Sequence, residues 1–217
     1  MERLTMEVGG FGVNCSILSE DGKAWIVDPG QDARRILDTL AKRGLEPAAV
    51  LLTHAHFDHL GAIPGLRQAA PGLPVYVHPA DVRIISHPLN QYPPEYPPVG
   101  ELDGLLDARE LSGVRGLEVV ETPGHTPGGV CYYFAAERLL LSGDTLFAGS
   151  VGRTDLPGGD WATLTASLAK LAESLPDDTL VIPGHGPHTT IGDEKRDNRF
   201  LRQASEIRKG VAGEACA

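Results

Sequence analysis

The chain has 217 residues, of which 41% are hydrophobic and 22% charged, with a formal net charge of −10. This suits one ordinary globular domain, and the negative balance argues against a nucleic-acid partner, which needs a basic face. No run of 18 apolar residues exists to span a membrane, and the start "MERLTMEVGG" lacks the apolar stretch of a signal peptide, so a cytoplasmic protein is expected.

Short β-like runs open the chain, "LTMEV", "CSILS" and "AWIVD", parted by Gly-rich or Asp-Gly turns. "DARRILDTLAKRG" follows with Ile36, Leu37 and Leu40 at helical spacing and Gly44 as a stop. "AAVLLT" reads as a buried strand, then come a helix near "IPGLRQAA", a strand "VYVH" and a short helix "PADVRIIS". Residues 86–104, "SHPLNQYPPEYPPVGELDG", show no period. A loop of that length in a compact domain is functional or mobile as a rule, so a lid or rim is expected, with a linker as the alternative, and Tyr92 and Tyr96 close over a ligand or pack the loop down. The second half gives strands "LEVVET", "VCYYF" and "RLLLSG", a helix "WATLTASLAKLAESL", a strand "TLVIP" and a final helix from about Glu194 to Lys209. The polar run "DEKRDNR" is expected to be a solvated helix start. Alternating strands and helices imply sheets covered by helices. Cys15, Cys131 and Cys216 are odd in number and widely spaced, so no disulfide framework or thiolate metal site is expected. Cys15 and Cys131 read as small core residues.

Ligand-type side chains collect just past the ends of the strands. "THAHFDH" follows "AAVLL", "TPGHTPGG" follows "LEVVE", "SGDTLF" completes "RLLL", and "PGHGPHT" follows "TLVI". Loops at the carboxyl ends of strands can converge while the sheet holds their stems rigid. His54 and His56, two apart, project to the same side of an extended segment, and Asp58 and His59 reach a second point nearby. With His125, Asp144 and His185 this makes five imidazoles and two carboxylates. That is an excess for one tetrahedral zinc and suits two cations sharing a carboxylate. Nitrogen and oxygen donors without thiolate fit zinc first, with iron or manganese as alternatives.

At these residues the chain resembles the metallo-β-lactamase superfamily, from "IVDPG" through "THAHFDH", "TPGHTPGG", "SGDTLF" and "PGHGP". The resemblance implies an α/β fold in one domain over residues 1–217, an αββα sandwich of two mixed sheets with helices on both outer faces. It also implies that His54, His56 and His125 hold the first metal, that Asp58, His59 and His185 hold the second, and that Asp144 bridges them. Asp28 is then a neighbour of the site and not a ligand: it orients an imidazole or forms a turn. Within the superfamily the likeness is to glyoxalase II, the hydroxyacylglutathione hydrolases, and especially their short relatives. It is carried by "GRTDLPGGD" at 152–160 and "PGHGPHTTIGDEKRDNRFL" at 183–201, with Gly186-Pro187 where a tyrosine is usual.

What the resemblance implies is hydrolysis of an acyl-thiol, S-(2-hydroxyacyl)glutathione or a similar small molecule, by a water that two cations activate. Asp58 would steer that water. Arg153 would contact a substrate carboxylate, or pair with Asp155 as a solvated loop residue. The runner-up is a mononuclear iron persulfide dioxygenase using His54, His125 and Asp144, and a lactonase shares the full ligand set. A β-lactamase is less favoured, because the best-known class has a cysteine where Asp144 stands. A non-catalytic metal-binding protein would tolerate broken ligand positions, and all seven are present. Residue patterns alone leave the oligomeric state open.

Overall fold

The computed structural model describes residues 1–90, 99 and 102–214. The chain divides into two compact units, Met1–Arg115 and Gly116–Ala217.

Among the described residues of the first unit, six strands form one mixed sheet in chain order: β1 (Glu2–Val8), β2 (Val13–Glu20), β3 (Lys23–Val27), β4 (Glu46–Leu51), β5 (Val75–Val77) and β6 (Leu105–Asp107). The first three pair antiparallel through tight turns, and β3 to β6 run parallel. Helix α1 (Ala33–Arg43) covers the β3–β4 crossover, burying Ile36 and Leu40 four residues apart. It stops at Gly44, whose φ of 65° is the left-handed conformation that only glycine adopts freely. Short helices α2 (Phe57–Leu60), α3 (Ile63–Ala69) and α4 (Val82–Ile85) follow β4 and β5. Val8, Ile17, Ile26, Val50, Leu66 and Val75 form the core of this unit.

The second unit has a five-stranded sheet in the order β13 (Thr189–Thr190), β12 (Leu180–Pro183), β9 (Leu139–Gly143), β8 (Val130–Phe134), β7 (Leu117–Glu121). Only β12 and β9 are parallel. A separate hairpin pairs β10 (Leu146–Phe147) with β11 (Ser150–Val151). Helix α5 (Trp161–Ser174) is capped by Asp160, whose carboxylate accepts from Thr163 N at 2.7 Å, and buries Leu164, Leu168 and Leu171 on one stripe. These pack with Leu140, Leu146, Val181 and Leu201 in a second core.

Two mixed sheets with attendant helices agree with the α/β reading, and Cys15 and Cys131 are both buried as expected. The end of the chain differs. The single helix expected from Glu194 is two, α6 (Ile191–Asp197) and α7 (Arg199–Glu214). Asn198 breaks them: its backbone is extended, and its Oδ1 accepts from Phe200 N and Leu201 N, capping α7. Nor is "DEKRDNR" wholly solvated, because Glu194 and Asn198, four apart, are both buried. Tyr92, Tyr96 and Cys216 lie outside the described residues.

Candidate metal centre

In the first unit, β4 delivers the chain into Thr53-His54-Ala55-His56, and α2 begins at the next residue. His54, His56 and His59 are all buried and lie against one another. The His54 ring is 4.8 Å from that of His56, edge-on, and 4.1 Å from that of His59. Three imidazoles so close would repel one another as cations.

The tautomer of His54 follows from its partners. Thr53 Oγ1 is 2.7 Å from Asp28 Oδ2 and 3.0 Å from His54 Nδ1. An ionised carboxylate can only accept, so the hydroxyl donates to Asp28 and accepts from His54 Nδ1–H. His59 Nδ1 lies 3.1 Å from Asp28 Oδ2, within reach of that carboxylate's charge. The His54 ring is left with the Nε2 lone pair as its metal-binding atom. Asp28 therefore orients the His54 imidazole through Thr53 and does not act as a local turn former. It also accepts from Thr53 N at 2.8 Å, and it holds this place with a φ of 47°, an unusual conformation for a non-glycine residue.

The loop backbone is gripped as well. Ala55 N donates to the buried Asp81 carboxylate at 3.1 Å, and Asn90 donates from Nδ2 to Ala55 O at 2.9 Å and accepts at Oδ1 from Phe57 N at 3.0 Å. Neither Asp81, within the expected short helix "PADVRIIS", nor Asn90, in the aperiodic stretch after it, carried a sequence signal. Asp58 Oδ2 and His59 Nε2 are 3.8 Å apart.

In the second unit, parallel strands β9 and β12 end side by side, Gly143 opposite Pro183, with Gly184 N donating to Gly143 O at 2.7 Å. Asp144 and His185 thus emerge from adjacent strand ends. His125 follows β7 in a loop closed by Thr122 N to Gly129 O at 2.8 Å, and Thr122 Oγ1 meets Thr145 Oγ1 at 3.0 Å. His125 Nδ1 is 2.7 Å from Arg153 O, and because a carbonyl only accepts, this ring too presents Nε2. Asp144 Oδ2 lies 3.7 Å from His125 Nε2 and 3.7 Å from His185 Nε2.

These separations are too long for hydrogen bonds. They suit donors around a shared ion: with metal–ligand bonds of about 2.1 Å, two tetrahedral ligands stand about 3.4 Å apart. Imidazole nitrogens oriented from behind, carboxylates beside them and no thiolate fit divalent zinc, iron or manganese. Within each unit the structure brings the expected donors together: His54, His56, Asp58 and His59 in the first, His125, Asp144 and His185 in the second.

Arg153 stands in the loop after β11. Its guanidinium forms a bidentate pair with Asp155 at 2.6 and 2.7 Å, exposed on both sides. That hydrogen bonding holds the Asp155 carboxyl down to about 2. The Arg153 backbone carbonyl separately accepts from His125 Nδ1.

The chain matches the metallo-beta-lactamase superfamily over residues 8–185. It is 35% identical to hydroxyacylglutathione hydrolase GloC of Haemophilus influenzae, covering 91% of this chain and 97% of that protein. Among solved structures it is similar to TTHA1623 in a di-iron-bound form, with a TM-score of 0.83 and 38% identity over 91% of this chain and 99% of that one. It is also similar to the B3 metallo-beta-lactamase BLEG-1, with a TM-score of 0.82 and 39% identity over 92% of this chain and 99% of the other. The fold is that of these proteins.

Proposed function

Because the chain belongs to the metallo-β-lactamase superfamily, we propose that it is a metal-dependent thioester hydrolase of the glyoxalase II type. Its substrate is S-(2-hydroxyacyl)glutathione or a similar small acyl-thiol, and it works in the cytoplasm as one domain. The observation that carries the reading is the oriented donor set. Imidazoles at 54 and 125 have Nδ1 committed to protein and Nε2 left to bind, in a chain 35% identical to a hydroxyacylglutathione hydrolase.

We assign the donors of the two units to one centre for two divalent ions, on their chemistry and the family likeness. His54, His56 and His125 would hold one, Asp58, His59 and His185 the other, and Asp144 both. When bound, such a pair supplies a water acidified toward neutrality and an electrophile for the acyl carbonyl. The chain's own residues do the rest. Asp58 accepts a hydrogen bond from the attacking water and sets its direction. Asp28, through Thr53, keeps His54 from rotating, so this donor costs little to organise during turnover. No strong general acid is needed for the leaving group, because thiols ionise near pH ~8.5.

Metal content should be measured beside hydrolysis of S-lactoylglutathione, a simple acyl thioester, a lactone and a β-lactam. The proposal expects about two ions per chain with thioesters turned over best, by at least ~10-fold in kcat/KM. One iron per chain with oxygen uptake on glutathione persulfide would replace this reading with the dioxygenase. Preference for the lactone or β-lactam would replace the substrate class.

Arg153 tests the glutathione part. If its guanidinium leaves Asp155 for a substrate carboxylate, Arg153→Ala raises KM for glutathione esters by about 10-fold and leaves uncharged thioesters unchanged. Equal effects on both substrates would make the residue a surface partner of Asp155, an exposed pair of small energetic worth.

A further inference from the structure

We propose that Glu194, together with Asn198, is a positioning residue for Asp144 and His125, acting through the β10–β11 hairpin. The proposal rests on the reading of those two residues as metal ligands.

Glu194 is 3% exposed and Asn198 fully buried, in a segment whose other charged residues reach solvent. The Glu194 carboxylate takes three donors: Gly149 N at 2.9 Å and Asn198 Nδ2 at 2.7 Å on Oε2, and Thr189 Oγ1 at 2.7 Å on Oε1. Asn198 Nδ2 also donates to Ser150 O at 3.0 Å. One buried acid–amide pair therefore holds both a donor and an acceptor of the hairpin turn.

The hairpin then reaches both candidate ligands. Strand β10 begins two residues after Asp144, and β11 runs into Gly152 and Arg153, whose carbonyl accepts from His125 Nδ1. At Gly152 a Cβ would lie 1.9 Å from Asp144 O and 3.0 Å from His125 Nδ1, so this backbone packs directly between the two. Any displacement of the hairpin is delivered to the Asp144 backbone and to the tautomer-fixing bond of His125 together. For filling space, an apolar residue would serve at 194, and burying a carboxylate is unfavourable unless its acceptors are satisfied. What the carboxylate adds is direction: hydrogen bonds fix the hairpin at a set angle that apolar contact would leave free.

The test compares full-length wild type with Glu194→Ala, Glu194→Gln, Thr189→Val and Leu168→Ala, the last opening a cavity in the α5 core away from this network. Two readouts are taken. Hydrogen exchange of segment 147–153 is followed in chelator-stripped protein, and zinc affinity by competition with a chromophoric chelator.

In Glu194→Ala, exchange at 147–153 should rise at least 10-fold and zinc affinity fall by 10- to 100-fold. Glu194→Gln, which keeps an acceptor for Gly149 N and a donor toward Thr189, should restore both to within a few-fold. If Glu194→Ala does not fold, Thr189→Val carries the test with a several-fold loss in each readout. Leu168→Ala should lower stability while leaving both readouts unchanged. The proposal is overturned if the Glu194 and Thr189 variants move these readouts no more than Leu168→Ala does, or if glutamine behaves as alanine. Failure of wild type to bind zinc would sink the metal reading instead, and the exchange data on stripped protein would still report on the brace.

Discussion

Asp144→Ala is expected to lose most bound metal and at least about 100-fold in kcat/KM on the best thioester, more than partners behind a ligand contribute. Oδ2 of this residue stands equally far, 3.7 Å, from Nε2 of His125 and of His185. No other carboxylate of the second unit sits between two imidazoles in this way among the described residues. Removing it takes away the carboxylate placed to serve both rings, and with it the negative charge that would draw a cation between them. Elemental analysis of the purified variant is the decisive measurement. Two ions per chain in Asp144→Ala would show that the shared ligand has been misassigned.

The second large effect is predicted for Gly152→Ala, by a different cause. The added methyl would fall 1.9 Å from the Asp144 carbonyl oxygen, and a backbone atom cannot swing aside as a flexible side chain can. Relief requires moving β11 or the strand end that carries Asp144. We expect a destabilisation above about 3 kcal/mol, at the upper end of overpacking costs. This corresponds to a fall in Tm of about 6–12 °C for a chain of this size, with metal binding impaired in whatever remains folded. A Tm within about 2 °C of wild type and full metal occupancy would mean that the approach at 152 is looser than described. Read together, the two variants separate loss of a ligand, which should leave the fold largely standing, from loss of the frame that aims it.

How much of this could be read from the chain varies with the kind of signal. The donor residues were legible because they follow strands with strong apolar runs and cluster in "THAHFDH", a density of imidazole that neither core nor surface calls for. Most strands and helices α1 and α5 were legible from periodicity, which survives whenever one face is buried. The orienting residues were harder. Asp28 was placed near the site, but whether it aimed an imidazole or made a turn depended on a residue 25 positions away, Thr53. Asp81 and Asn90 act on the backbone of Ala55 and Phe57, and a hydrogen bond from a distant loop leaves no trace in spacing.

Glu194 and Asn198 were misread for a more instructive reason. In "GDEKRDNRF" nearly every residue is polar, so hydrophobic periodicity has nothing to work on. Yet the two buried members are four apart, one helical turn, and a helix presents such a pair on a single face. Burial here is polar and satisfied, the case in which apolar patterning is blind. The two-residue strands β10, β11 and β13 escaped notice because they are too short to show alternation.

The parallel register of β9 and β12 has a consequence for how this centre can change. Gly143 and Pro183 share a rung, and Gly184 N is bonded to Gly143 O, so Asp144 and His185 are launched from one point of the ladder. A slip of one residue between these neighbours would turn every side chain on the moving strand to the opposite surface. The pairing already holds one irregularity, between Ile182 and Pro183, so it is upstream of that point that an insertion or deletion would turn core side chains outward. Variation in such a chain can accumulate only in the outer turns, where specificity can drift while the paired launch point stays put.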